Sequence, residues 1–360
     1  MHDRRRPPEA IHMAKVGLFR RSASSSASSG EDSVFAALSP FQIEPAFIGR
    51  VWGFRDLRPW YDYATEKDSG QQPIGEVWLT GDECRIATGP HAGKTLAALF
   101  SERPEALLGK GVPLTGSPLL LKVIFAREKL SVQVHPDDKL ARKYGQSRGK
   151  TECWYALSAE SGARVAVGLK SGVSTDDVRS GIRDGTLENS LQVLPVKAED
   201  MILVDAGTVH AIWPGSILLE TQQNSDVTYR MYDYGRPREL HIEKSLEAMK
   251  LTTHAGKIPP HVLSDRTILV DHAYFRVERI PVRFSRSSTT LPAPDEPVPG
   301  LSYLFAAAGS ARITSPSFGA IDLPERGIVA IPASSSVFAV QDLGDLDLMR
   351  ISPRWPKQEP

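Results

Sequence analysis

Cysteine is scarce in this sequence: Cys84 and Cys153 are the only two in 360 residues, and they form no Cys-x-x-Cys spacing. Two thiols so placed exclude a disulfide framework and a zinc site closed by cysteines, and they fit a reducing compartment, so a cytoplasmic protein is expected. Net charge is missing as well, because 43 basic residues meet 43 acidic ones. Without a field of one sign there is no global attraction to nucleic acid or to an anionic membrane, which leaves a small molecule as the expected partner. No apolar run approaches the roughly 20 residues needed to span a bilayer. Arg4 to Arg6, Arg20 and Arg21 are joined by no long apolar region, so no secretory signal is expected. Helical patterns are few, whereas a doubly wound α/β sheet needs a helix after nearly every strand.

What is present is a succession of short strand-like runs with turn residues between them, the signature of an antiparallel β-sandwich or jelly roll. Residues 1–38, with the tract Ser22-Ala23-Ser24-Ser25-Ser26, cannot bury enough surface to offset chain entropy and are expected to be a disordered basic, Ser-rich extension. Residues 39–250 form the expected main β unit, with a helix over 96–108 and a helical insert near 174–192 interrupted at Gly185. Residues 251–360 form a second, smaller C-terminal β domain. Its run Ile328 to Val340 echoes the strand, small-residue turn and strand of Met201 to Ile212, so a degenerate internal repeat with Phe338 in the place of His210 is one reading and coincidence the other.

The stretch Leu130-Ser131-Val132-Gln133-Val134-His135-Pro136 carries the chemistry. In an extended chain alternate side chains share a face, so Ser131, Gln133 and His135 line up opposite Val132 and Val134. Such a polar face either meets water or points at a metal or substrate. Candidate companions lie at other strand-like runs: His210, and Glu152 on a face shared with Lys150 and Trp154. Two imidazoles and a carboxylate from three strands are the ligand set of an open catalytic zinc site, with Gln133 as a possible fourth oxygen donor. The bland alternatives are a core histidine at His210 and a surface ion pair between Glu152 and Lys150. Arg230 is expected on a strand with Tyr232 inward on the same face, where a fixed cation can hold phosphate or stabilise an oxyanion.

Six ordered segments then resemble the class I mannose-6-phosphate isomerases, zinc enzymes of the cupin jelly-roll type, in their short bacterial branch. They are Ile74 to Leu79, Leu119 to Lys122, Leu130 to Asp138, Gly149 to Tyr155, Ala206 to Ala211, and Leu219 to Arg236, spanning roughly residues 45 to 245. The resemblance implies a mainly β, cupin-type jelly-roll fold. It implies His135, Glu152 and His210 as ligands of one zinc ion per chain, with Gln133 a ligand in part of the family. It implies Arg230 and Lys150 as catalytic residues, and Ser131, Lys150 and Glu220 on the substrate side, Ser131 toward phosphate. Val227-Thr228 and Tyr234 depart from the threonine pair and tryptophan expected there, which bears on specificity. The implied reaction interconverts mannose 6-phosphate and fructose 6-phosphate through an enediol, with Lys150, Glu220 or a histidine carrying the proton. Isomerisation of a related sugar phosphate, and non-catalytic binding of one, are the alternatives. An iron cupin oxygenase would need a His-x-His pair where this chain has Gln133-Val134-His135. The expected partner is a sugar phosphate, with no nucleic acid or membrane, and the chain acting as a monomer or homodimer.

Overall fold

A computed structural model describes residues 37–65, 70–112, 116–282, 288–291, 300–335 and 337–356. Almost all of the 1–38 extension therefore lies outside the described residues. Among them the chain builds three antiparallel sheets. A large sheet runs in the order Gly256–Ile258, Met201–Val204, Glu152–Ala159, Ser216–Gln223, Leu119–Phe125, Ile74–Trp78 and Ala46–Phe54. A small sheet runs Tyr229–Tyr232, Val132–Val134, His210–Ile212, Arg164–Leu169 and Leu191–Pro195. The two face each other over Ile124, Trp154, Ile202 and Leu218 from the large sheet and Val165, Val167 and Ile212 from the small one. This is the jelly-roll sandwich that the alternating short strands predict.

The strand Leu119–Phe125 is buried throughout. Leu119, Leu121, Val123 and Phe125 pack outward in a cluster that also holds Phe275, Val277, Tyr303, Phe305 and Ile351 of the third sheet. Ile124 packs inward instead. Both faces being covered explains why the strand reads as a nearly continuous apolar run. Val132 and Val134 pack away from the sandwich interior, against Val178 and Ile182 of the helix Thr175–Asp184 and against Leu187. The polar face of the strand Val132–Val134 is thus the interior one.

The third sheet follows the path Phe41–Gln42, Ile328–Ile331, Ser302–Ser315, Phe338–Pro353, Phe275–Ile280, Thr267–Asp271 and His261–Val262. Each side of residue 250 lends a strand across it: Phe41–Gln42 pairs with Ile328–Ile331, and Gly256–Ile258 pairs with Met201–Val204. Phe338 opens a strand as His210 does, and it is buried in an apolar cluster of its own sheet.

Three local expectations are corrected. The helix over 96–108 is two helices, Leu96–Glu102 and Pro104–Leu108, because Pro104 has no N–H to continue the first and takes the N1 position of the second. The insert ends as a helix at Asp184, with Ser174 and Asp177 forming a capping box and Gly185 a left-handed cap; a 3₁₀ turn follows, and Leu191–Pro195 is a strand. A register shift between Arg230 and Tyr232 takes Tyr232 off the face of Arg230, so that it packs with the outer cluster around Val178.

Candidate metal centre and its cleft

Cross-strand pairing brings the candidate ligands together. His210 lies opposite Gln133 in the small sheet, and Glu152 enters from the facing large sheet. One donor atom from each of His135, Glu152 and His210 fits within 4.8 Å of the others, and all three residues are buried. Glu152 Oε2 is 3.5 Å from His135 Nε2, and Oε1 is 3.5 Å from His210 Nε2. Each imidazole is held from behind: His135 Nδ1 donates to the Val227 carbonyl and His210 Nδ1 to the Thr208 carbonyl, both at 2.9 Å. A carbonyl only accepts, so Nδ1 carries the proton and Nε2 presents its lone pair to the centre, the arrangement of a metal-ligating histidine.

The cage is short of donors. His135 Nε2 and both Glu152 oxygens are buried without an aligned hydrogen-bond partner. Lys150 Nζ reaches within 3.1 Å of Glu152 Oε2, as an ion pair. Burial, then the charges of Lys150 and His210, hold His135 well below the usual imidazole range. Burial brings His210 down to about 4. Burial and the neighbouring charge of Glu220 raise Glu152 to about 8, with Lys150 and Lys122 acting against them. Two neutral imidazoles facing a buried carboxyl group that Lys150 compensates only in part form a donor set that fits a divalent cation. Gln133 sits differently: its Nε2 donates to His210 Nε2 at 3.2 Å while its Oε1 accepts from Ser131 at 3.3 Å.

A local brace positions the carboxylate. Gly149 lies so close to the preceding loop that a Cβ there would come within 2.5 Å of the Asp137 carbonyl carbon. Lys150 N donates to Pro136 O, and Gly207 N donates to His135 O. The segments 135–138, 149–152 and 205–207 are therefore joined backbone to backbone around the cage.

Beside the cage lies a cleft of about 370 Å³ whose lining includes Ser131, Gln133, Lys150, Glu220 and Arg230. Five of the sequence-selected residues thus share one cavity, beside the His135, Glu152 and His210 cage. The same walls carry Arg50, Glu76, Lys122 and Arg238, which local pattern does not single out for a role. Lys122 offered a signal, as the one charge inside the apolar run Leu119–Phe125. Its Nζ is 2.7 Å from Glu220 Oε2 and 3.8 Å from Glu76 Oε2. Arg50 forks onto Glu76 at 2.9 and 3.1 Å, and Trp78 and Trp154 donate to Glu76 and Glu220. Burial opposes ionisation of Glu220, but Lys122, Lys150 and the Trp154 hydrogen bond outweigh it and hold that carboxyl at about 2. Burial likewise opposes the Lys122 charge, and Glu220 with Glu76 overcomes it.

At the other end, Arg230 donates to the Glu239 carbonyl at 2.8 Å, and its Nε is buried without a hydrogen bond. Burial and the charges of Arg238 and Arg236 disfavour its protonated form. Asp233 takes Arg238 as a fork, at 2.7 Å to each oxygen, and Arg236 at 2.9 Å. Two guanidinium groups there share one buried carboxylate, with Arg230 beside them.

Comparison with known proteins agrees with this geometry. A family profile described as "Phosphomannose isomerase type I, catalytic domain" matches residues 41–167. The mannose-6-phosphate isomerase of Streptococcus mutans is 36% identical over 251 residues, which cover 66% of this chain and 77% of that protein. The crystal structure of the mannose 6-phosphate isomerase from Bacillus subtilis matches with a TM-score of 0.75 at 30% identity, over 88% of this chain and 99% of that one. A mannose 6-phosphate isomerase crystallised with zinc and yttrium shares the fold, with a TM-score of 0.68 at 16% identity, over 88% of this chain and 100% of that one. With a relative of that identity matched over more than three quarters of its length, and a sandwich that superposes on a solved isomerase from end to end, the chain belongs to the type I phosphomannose isomerase family.

Proposed function

We propose that the protein interconverts mannose 6-phosphate and fructose 6-phosphate, with one zinc ion held by His135, Glu152 and His210. The observation that carries this reading is the buried cage, its two imidazoles tethered from behind, lying beside a cleft whose lining includes Lys122, Lys150, Arg50, Arg230 and Arg238. Zinc, when bound, supplies a Lewis acid that orders sugar hydroxyls and polarises the carbonyl. Gln133 would add a fourth oxygen donor through its side-chain amide. The isomerase relative that binds zinc supports that choice of metal. Two unpaired buried thiols support a cytoplasmic setting.

The protein groups divide the remaining work. The open-chain aldose loses its C2 proton and gains one at C1, while the O2 proton passes to O1 and negative charge develops on both oxygens. Arg230, in register with Gln133 at the cage, bears part of that charge. Lys150 lines the cleft beside Glu152 and is the group we assign to carry the proton between C2 and C1. Glu220 is a poor proton carrier because Lys122 and Trp154 hold it ionised; it fixes Lys122 toward the sugar instead. The substrate's phosphate is assigned to the part of the cleft where Ser131 and Arg238 lie, leaving Arg230 to the reacting oxygens. A coupled assay on zinc-loaded protein is expected to show fructose 6-phosphate forming from mannose 6-phosphate. Absence of product from protein that retains its zinc sinks the proposal.

A further inference from the structure

The loop 272–274 belongs to the C-terminal sheet, between the strands Thr267–Asp271 and Phe275–Ile280, yet it reaches the back of the metal-centre loops. Tyr274 donates its hydroxyl to Asp138 Oδ2 at 3.0 Å. The other oxygen of Asp138 accepts from Gly149 N at 2.7 Å and from Gln223 Nε2 at 3.0 Å. Gln223 in turn accepts from Thr151 N at 2.9 Å through its own amide oxygen. The amides on both sides of Lys150 are thus tied to one carboxylate, directly at Gly149 and through Gln223 at Thr151. Beside this contact, His272 Nε2 lies 3.5 Å from Asp205 Oδ1, at the start of the turn whose Gly207 N donates to His135 O.

We propose that Tyr274 is a positioning residue: through Asp138 it fixes the segment Gly149-Lys150-Thr151-Glu152, so that the C-terminal sheet sets the geometry of the catalytic cleft from outside it. The chemistry supports this over simple packing. A carboxylate accepts several hydrogen bonds at once, and a donor on Oδ2 leaves Oδ1 oriented toward the two amide donors. Removing the phenol frees that carboxylate to rotate, and its effect travels along bonds that end at Lys150 and Glu152. Gly149 has little slack to absorb such a shift, since even an added Cβ there would come within 2.6 Å of the backbone of Pro136, Asp137 and Asp138.

Two readouts test this, one of which needs no turnover. In Tyr274→Phe, amide hydrogen exchange at Gly149 and Thr151 is expected to rise about tenfold while exchange in the strand Leu119–Phe125 is unchanged. The Asp138→Asn variant raises the same amides, and the double variant goes no faster than Asp138→Asn alone, because both act through one carboxylate. Unchanged exchange at Gly149 and Thr151 in Tyr274→Phe overturns the inference, as does a double variant whose effect is the product of the two single ones. The second readout rests on the isomerase reading: kcat for mannose 6-phosphate falls about fivefold in Tyr274→Phe, with KM within about twofold of the parent. A KM change without a kcat change counts against positioning of Lys150. If the parent protein shows no isomerase activity, the proposed function fails while the exchange measurement still decides the role of Tyr274.

Discussion

An imidazole serves as a metal ligand when its proton is parked on the far nitrogen, and the carbonyls of Val227 and Thr208 accomplish this for His135 and His210. His135→Ala is therefore expected to lower bound zinc and activity together. Arg230→Ala should retain zinc and lose on the order of 100-fold or more in kcat, as read by metal analysis beside the coupled assay; equal zinc loss in both would reverse the assigned roles. Glu220 gives a prediction in pH. Its carboxyl sits at about 2 in the fold against an ordinary 4.5, so the stability it contributes is complete above pH 4.5 and is lost as pH falls from there toward 2. Glu220→Gln should flatten that acid limb in denaturant titrations. At pH 7 it should cost on the order of 3 kcal/mol, because Lys122 loses its nearest partner. At this scale the sequence was legible where alternation in a strand sorted Ser131, Gln133 and His135 from Val132 and Val134. It was not legible for the pairing of Lys122 with Glu220, which meet only because two strands far apart in the chain come into register. The carbonyl tethers were equally hidden, since a backbone oxygen leaves no mark on residue identity.

Elements carry the site through close approach and through caps. Gly149 permits the contact between 149–152 and 136–138, where an added Cβ would fall within 2.6 Å of three backbone atoms. Gly149→Ala is expected to destabilise the fold by about 2–4 kcal/mol, as overpacking against backbone does, and to weaken zinc binding. Ser174→Ala serves as a comparison at a distance. Loss of the capping box should cost about 1 kcal/mol in thermal or denaturant unfolding with kcat unchanged, because the helix Thr175–Asp184 braces the outer face of the small sheet, in an apolar cluster that holds none of the cleft's lining residues. A kcat loss in Ser174→Ala would show that the outer helix steers the cleft. The start of that helix was readable from Ser174 and the acidic residues after it, whereas Gly185 read as an interruption and proved to be its stop. The register shift after Arg230 was not, because a bulge costs one unpaired residue and follows from how the strand Val132–Val134 must be matched, not from the local sequence Tyr229-Arg230-Met231-Tyr232.

At the scale of the whole molecule, two apolar surfaces close on each other: the outward side of the large sheet and the facing side of the C-terminal sheet share one cluster. We propose two β units on either side of residue 250 with interleaved ends, since Phe41–Gln42 and Gly256–Ile258 each pair across that point. A chain ending at residue 250 would leave Leu121, Val123 and Phe125 bare. It is expected to lose cooperative unfolding and to aggregate on gel filtration; a monomeric, cooperatively melting fragment would refute the interdependence. The turn and strand pattern pointed to a mainly β chain, but which strand joins which sheet is a long-range matter that local pattern does not encode. The pairing of Phe41 with Ala330 also has a consequence in time. During synthesis Phe41–Gln42 emerges with its partner still unmade, and the outward face of the large sheet stays uncovered until the strands between Phe275 and Pro353 that pack on it have followed. The native arrangement therefore closes late.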